Sequence, residues 1–199
     1  MRVLAFAASN SRQSINRTLV GHAAARLRDD LLPGAEIDHL DLHDYEMPIY
    51  SIDRERKAAV PAPAHDFFAR IGQADAILVS FAEHNGAATA VWKNVFDWMS
   101  RIEMKLWQGK PMVLLAASPG RRAGAGVLDS QVALAPHFGG EVRGRLGIGR
   151  WSEAWSAETR SLVRPEDATA LDAALAGLGS TRHPHVPPHL TSLHRQDIP

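Results

Sequence analysis

Cysteine is absent from all 199 residues. That excludes disulfide scaffolds, thiolate zinc sites, iron–sulfur clusters and cysteine nucleophiles, and it suits a reducing compartment, the cytoplasm by default. Net charge is absent too: 22 Lys and Arg face 22 Asp and Glu. The basic excess that a sequence-independent nucleic-acid binder relies on is missing, so no nucleic-acid partner is expected. No apolar run approaches the ~20 residues of a membrane span, and the opening Val3 to Ala8 is too short for a secretory leader, so no membrane partner is expected either. Glycine-rich dinucleotide and nucleotide-hydrolase fingerprints are missing, as is the serine elbow of hydrolases. What is present, 45% hydrophobic and 22% charged residues, suffices for a real core in a single domain.

The apolar run Val3 to Ala8 reads as a strand buried on both faces that empties into Ser9, Asn10 and Ser11. From Ser14, Ile15, Leu19, Val20, Ala23, Ala24 and Leu27 recur at three and four, and Pro33-Gly34 closes this amphipathic helix. Ile37, Leu40 and Leu42 mark a weaker second strand. A Pro-containing loop from Asp44 to about Pro63 follows, long enough to suggest a functional use. The spacing then predicts a helix over 64–71, a buried strand over 75–81, a helix face at Val91, Val95, Trp98 and Ile102, and a strand over 111–117. A helix over 127–138, a strand over 140–148 and a final helix over 165–178 complete the alternation. Residues 1–179 thus read as one α/β domain. Residues 180–199, with Pro184, Pro187 and Pro188, read as an extended tail.

Strict alternation of strand and helix implies a parallel sheet between two helical layers, because right-handed crossovers connect parallel strands. Five strands in the order 2-1-3-4-5 place a ligand beyond their carboxyl ends, where the order reverses between strands one and three. The loops after strands one, three and four should therefore meet. The first offers Ser9, Asn10, Ser11, Ser14 and Asn16 around the start of a helix, where free N–H groups and the helix dipole suit a phosphate. Ser and Asn are equally the preferred helix caps, and this loop alone does not separate the two readings.

Residues 8–16 (Ala-Ser-Asn-Ser-Arg-Gln-Ser-Ile-Asn), 82–86 (Ala-Glu-His-Asn-Gly), 92–98 (Trp-Lys-Asn-Val-Phe-Asp-Trp) and Gly109-Lys110-Pro111 before a strand resemble, in order and spacing, the NADPH-dependent FMN reductases. Those are flavodoxin-like three-layer proteins, and the likeness covers about residues 2 to 178. It implies a noncovalent FMN with its phosphate near Ser9, Ser11, Arg12, Ser14, Ile15 and Asn16. The isoalloxazine would lie against Ala82, Glu83, His84, Asn85 and Gly86 on one side and Ser118, Pro119 and Gly120 on the other. It further implies NADPH or NADH as hydride donor, a small acceptor such as a quinone, an azo compound or another flavin, and assembly as a homodimer or homotetramer. The chain departs from the family at Ala8, where Gly is common, and at Ser11, where Arg is common and Arg12 follows one place later. It also departs at Ala82 and His84, which replace Pro and Tyr.

Plainer roles stand beside these. Glu83 could pair with Lys93, while Lys93 and Asn94 would support the loop and the subunit contact. Trp92, Val95 and Trp98 serve a core or an interface equally well. Arg121-Arg122, on a loop with three glycines, could fork an NADPH phosphate or simply be solvated. His183, His185, His189 and His194 lack the fixed geometry of a metal site. Two rivals to the reductase reading are a single-electron carrier, which would want an acidic docking surface, and a non-catalytic relative that keeps the fold for binding or assembly.

Overall fold

The computed structural model describes residues 1–179; the tail with its four histidines lies outside the described residues. The central sheet is built from β1 (Arg2–Ala8), β2 (Glu36–Leu40), β3 (Ala76–Phe81), β6 (Pro111–Ala117) and β7 (Glu141–Ile148), all parallel, in the order β2-β1-β3-β6-β7. That is the expected 2-1-3-4-5 succession. Side chains alternate across β1 as the pleat requires. Leu4, Phe6 and Ala8 enter one core layer, and Val3, Ala5 and Ala7 the other.

Helix α1 (Ile15–Arg26) and the long helix α7 (Pro165–Gly179) cover the second face with Leu19, Val20, Ala23, Leu171 and Leu175. On the first face lie α3 (Ala62–Gln73), α4 (Ala90–Met99) and α5 (Ala125–Leu134). They pack an aromatic cluster in which Phe6 meets Phe67 edge-on at 5.1 Å and Trp92 stacks on Trp107 at 5.7 Å. Trp92, Val95 and Trp98 are all but inaccessible, so these three belong to the core rather than to an interface.

Several short elements escape sequence periodicity. The span expected to be a loop from Asp44 to Pro63 holds α2 (Ile52–Ala58), capped by Ser51, and is preceded by a 3-10 turn over Leu42–Tyr45. A two-residue hairpin, β4 (Glu83–His84) and β5 (Ala87–Ala88), follows β3. Between β7 and α7 the chain inserts the one-turn α6 (Trp151–Ala154) and a second small hairpin, β8 (Trp155–Ser156) and β9 (Ser161–Leu162). Segments this short carry no helical or strand period to detect.

The edge strand β2 is fastened by charge. Asp38 accepts from Arg2 at 3.0 Å and from Arg70, which also reaches Tyr45 at 3.1 Å. Burial works to raise the Asp38 carboxyl, but the hydrogen bond and charge of Arg70, with Arg2 behind it, outweigh it and hold the group below its ordinary value. Asp38→Asn is expected to cost about 2 kcal/mol at neutral pH, as for hydrogen bonds to charged groups. Because the folded carboxyl titrates below its unfolded value of about 3.9, this stabilisation is complete above that pH and fades as acid protonates the folded protein. Urea unfolding should therefore show wild type and variant converging below about pH 4.

Candidate cofactor site

The carboxyl ends of β1, β3 and β6 lie side by side, with Ala8 beside Phe81 and Phe81 beside Ala116. Three loops leave this rim, and polar contacts tie the first to the ends of β3 and β6 and the second to the end of β1 and to the start of α5.

Loop one runs from Ser9 to Ser14. Ser9 Oγ accepts from Ser11 N at 3.2 Å, and Ser14 caps α1, its Oγ accepting from Arg17 N at 3.4 Å. Capping and anion binding turn out to be compatible. The N–H groups of Arg12, Gln13, Ile15 and Asn16 have no acceptor among the described residues, and the first turn of α1 holds no carboxylate. Arg12 is exposed and its Nη2 lies 3.0 Å from His43 Nε2. Its cationic head thus reaches the 3-10 turn that follows β2. A run of unpartnered donors at the positive end of a 12-residue helix, with one arginine and no acid, fits a phosphate monoester.

The Asn16 side chain does different work from the one expected of it. Its Nδ2 donates to Ala117 O at 3.0 Å, and its Oδ1 accepts from Ala117 N at 2.7 Å and from Ser80 Oγ at 2.8 Å. One carboxamide thus joins loop one to the ends of β3 and β6, leaving the backbone N–H of Asn16 rather than its side chain to face a ligand. Thr89, which caps α4, donates to Ala8 O at 2.9 Å and joins the hairpin's exit to the end of β1.

Loop two is the β4–β5 hairpin. Asn85 and Gly86 form its turn with φ of 55° and 80°, the left-handed pair that a two-residue hairpin demands and that Asn-Gly adopts most readily. Ala82 is buried at the end of β3, whereas His84, Asn85 and Gly86 are exposed. Glu83 is not paired with Lys93: its carboxylate accepts from Val127 N at 2.8 Å, in the first turn of α5, while Lys93 bonds Asp97. A carboxylate favours a helix N-terminus over a solvated lysine. This brings the hairpin against Gly126, where a Cβ would sit 2.8 Å from Gly86 O and 2.9 Å from Glu83 Oε2. Glycine alone permits that approach.

Loop three follows β6. Ser118 N donates to Ile148 O at 3.0 Å, Trp151 N to Ser118 O at 3.1 Å, and Gly120 N to Ser118 Oγ at 3.1 Å. Pro119 and Gly120 are left exposed on the rim, followed by Arg121 and Arg122. Sequence reasoning overlooked Thr89 and Ser80. Ser80 was visible as the single polar residue in a buried strand, and Thr89 as a cap ahead of an apolar helical run. Asn94 does support a loop, the one over 47–50, through Met47 O at 3.0 Å and Tyr50 N at 2.8 Å.

Asn16→Ala leaves Ala117 and Ser80 with unpaired buried groups. The expected loss is on the order of 3 kcal/mol in urea unfolding, while a surface variant such as Lys93→Ala stays within about 0.5 kcal/mol.

The sequence matches the family model described as NADPH-dependent FMN reductase over residues 1–148. A probable NADPH:quinone oxidoreductase 2 from Oryza sativa subsp. japonica is 32% identical over 120 residues, 60% of this chain and 57% of the relative. A quinone reductase of Escherichia coli K12 is 28% identical over 138 residues, 64% of this chain and 69% of the relative. The chain thus spans little more than half the length of the rice relative. Among solved structures, the flavoenzyme NAD(P)H:(acceptor) oxidoreductase FerB from Paracoccus denitrificans superposes with a TM-score of 0.72 at 24% identity. That superposition covers 89% of this chain and 95% of the other; at that identity it speaks for the fold. A family match running through all three loops, on a rim built as they require, makes this chain a member of the NADPH-dependent FMN reductase family.

Proposed function

We propose that the chain binds FMN noncovalently on this rim and, with NADPH or NADH as hydride donor, reduces a small organic acceptor such as a quinone, an azo compound or a flavin by a ping-pong cycle. One observation carries the reading most: the donors of loop one stay unpartnered while the other two loops are bonded around them. The N–H groups of Arg12, Gln13, Ile15 and Asn16 would hold the phosphate, with the Ser9, Ser11 and Ser14 hydroxyls and the Arg12 charge beside them. Ala82 to Gly86 and Ser118 to Gly120 would border the ring. When bound, the cofactor supplies the redox chemistry, a hydride in from reduced nicotinamide and two electrons out to the acceptor. The protein's part is to position and to exclude water, and no side-chain nucleophile is required. The zero net charge favours this over a single-electron carrier, whose protein docking wants a strongly signed surface.

We also infer a homodimer or a higher homo-oligomer, with α4 and α5 at the contact. A groove of about 310 Å³ between them is walled by Phe96, Met104, Leu134 and Phe138 over the buried Trp92, and Met104 and Leu134 are exposed. Lys93 and Asp97 sit on its margin, opposite charges that a two-fold copy can satisfy reciprocally. No described helix is long and apolar enough to cross a membrane. The cysteine-free composition supports a cytoplasmic setting.

Three outcomes test these readings. Titrating apoprotein with FMN should quench flavin fluorescence at micromolar protein, and the loaded protein should oxidise NADPH in the presence of a quinone. Absence of quenching would refute cofactor binding. In Ser14→Asp the new residue caps a helix as well as serine does, so unfolding should be unaltered while its charge repels the phosphate and strips the flavin. Full flavin content in that variant would refute the phosphate placement. Light scattering should show a dimer or larger species for wild type and a monomer for Leu134→Glu.

A further inference from the structure

On the outer side of α1, away from the rim contacts of Asn16, a second groove of about 360 Å³ runs between the helix and the β8–β9 hairpin. Its size lies within the range of small-ligand sites. Arg17, Thr18, Gly21 and His22 line one wall and Trp155 and Arg160 the other; no carboxylate is among the lining residues, the acids beside them being Asp41 on Arg17 and Asp172 near His22. The two guanidiniums set its charge. Arg17 spends Nη2 on Asp41 at 2.5 Å and keeps Nε and Nη1 free of partners among the described residues. Arg160 has no hydrogen bond or ion pair among the described residues, although most arginines here are paired. Its φ of 53° lies in the left-handed region, a costly place for a residue that is neither Gly nor Asn.

The rest of the groove is aromatic and open. Trp155 is half-buried and stacks on Trp151 at 5.2 Å with 11° between planes, and the His22 ring meets it edge-on at 5.3 Å. Burial, and after it the charge of Arg26, lowers the His22 pKa against the opposing pull of Asp172, which favours the uncharged ring. At the floor, a Cβ added to Gly21 would meet nothing within 4 Å. The helix backbone is therefore open to a flat ligand.

We propose that this groove is a second binding site, for a phosphate monoester carried on a planar aromatic base, that is, a mononucleotide-type ligand. The phosphate engages Arg17 and Arg160, since guanidinium forks match phosphate oxygens, and the base lies against Trp155 and His22. Two arginines and one tryptophan on a chain of zero net charge make a footprint for one nucleotide rather than for a polymer.

The test uses the full chain saturated with FMN, so that the rim is taken, and AMP as the probe, followed by calorimetry and tryptophan fluorescence. Saturable one-to-one binding is expected, with adenosine and inorganic phosphate each at least ~10-fold weaker because each meets only half of the groove. Arg160→Ala, an exposed position that should leave folding and flavin content unchanged, should weaken AMP at least ~10-fold, as should Trp155→Ala. Three results would overturn the proposal: no saturation at millimolar AMP, equal binding of inorganic phosphate and AMP, or an AMP affinity that Arg160→Ala leaves unaltered.

Discussion

A carboxamide buried among backbone groups has to find partners for both of its ends, and in this molecule that requirement holds the rim together. Asn16 is almost fully buried, and it meets the strand ends through Ala117 and Ser80. Because unpaired polar groups at such depth cost about 1–3 kcal/mol each, the start of α1 cannot drift from β6 without breaking several bonds at once. Thr89 on Ala8 and Glu83 on the first turn of α5 extend the constraint to the hairpin. Three loops from distant parts of the chain therefore behave as one wall, the rigidity that a site acting mainly by positioning needs.

This arrangement was legible in the sequence only in part, and the division has a physical cause. The buried runs ending at Ala8, Phe81 and Ala117 announced β1, β3 and β6, since a strand covered on both faces is apolar at every position. Their alternation with helices implied a parallel sheet through the handedness of crossovers, and five such strands pointed to the flavodoxin-like order. Partner choice was not legible. Glu83 has two plausible targets in sequence, Lys93 and a helix start, and only the folded chain brings Val127 N to 2.8 Å. Asn16 likewise reads as a phosphate ligand or part of a helix cap, and its tie to Ala117, 101 residues later, shows only in the folded chain. The two hairpins and α2 stayed hidden because two to seven residues cannot display a period.

Charge is arranged with the same economy. Arg2, Arg26, Arg70 and Arg101 each face a carboxylate, so the balanced composition is satisfied locally. Among the described residues, and apart from Arg54 and Arg56 on α2, the guanidiniums left without a carboxylate partner stand out. Arg12 sits beside the donors of loop one, Arg121 and Arg122 beside loop three, and Arg160 over the groove on α1. The first three border the rim where an anionic cofactor and a dinucleotide are expected. The fourth is on the other side of α1, in the small hairpin that follows β7.

Helix α4 also links the rim to the segment over 47–50. At its first residues Thr89 holds Ala8; one turn on, Asn94 binds Met47 and Tyr50, and Trp98 Nε1 donates to Pro48 O at 2.7 Å. The stretch over 47–50 is thereby pinned to the helix that fixes the end of β1, although it contains no regular structure of its own. Ile49 within this stretch and Ile52 just after it are exposed. The bonds that place this stretch run to its main-chain atoms, while Met47 and Tyr50 pack on the core and Tyr50 meets Trp98 edge-on, so backbone and side chains together hold it against α4.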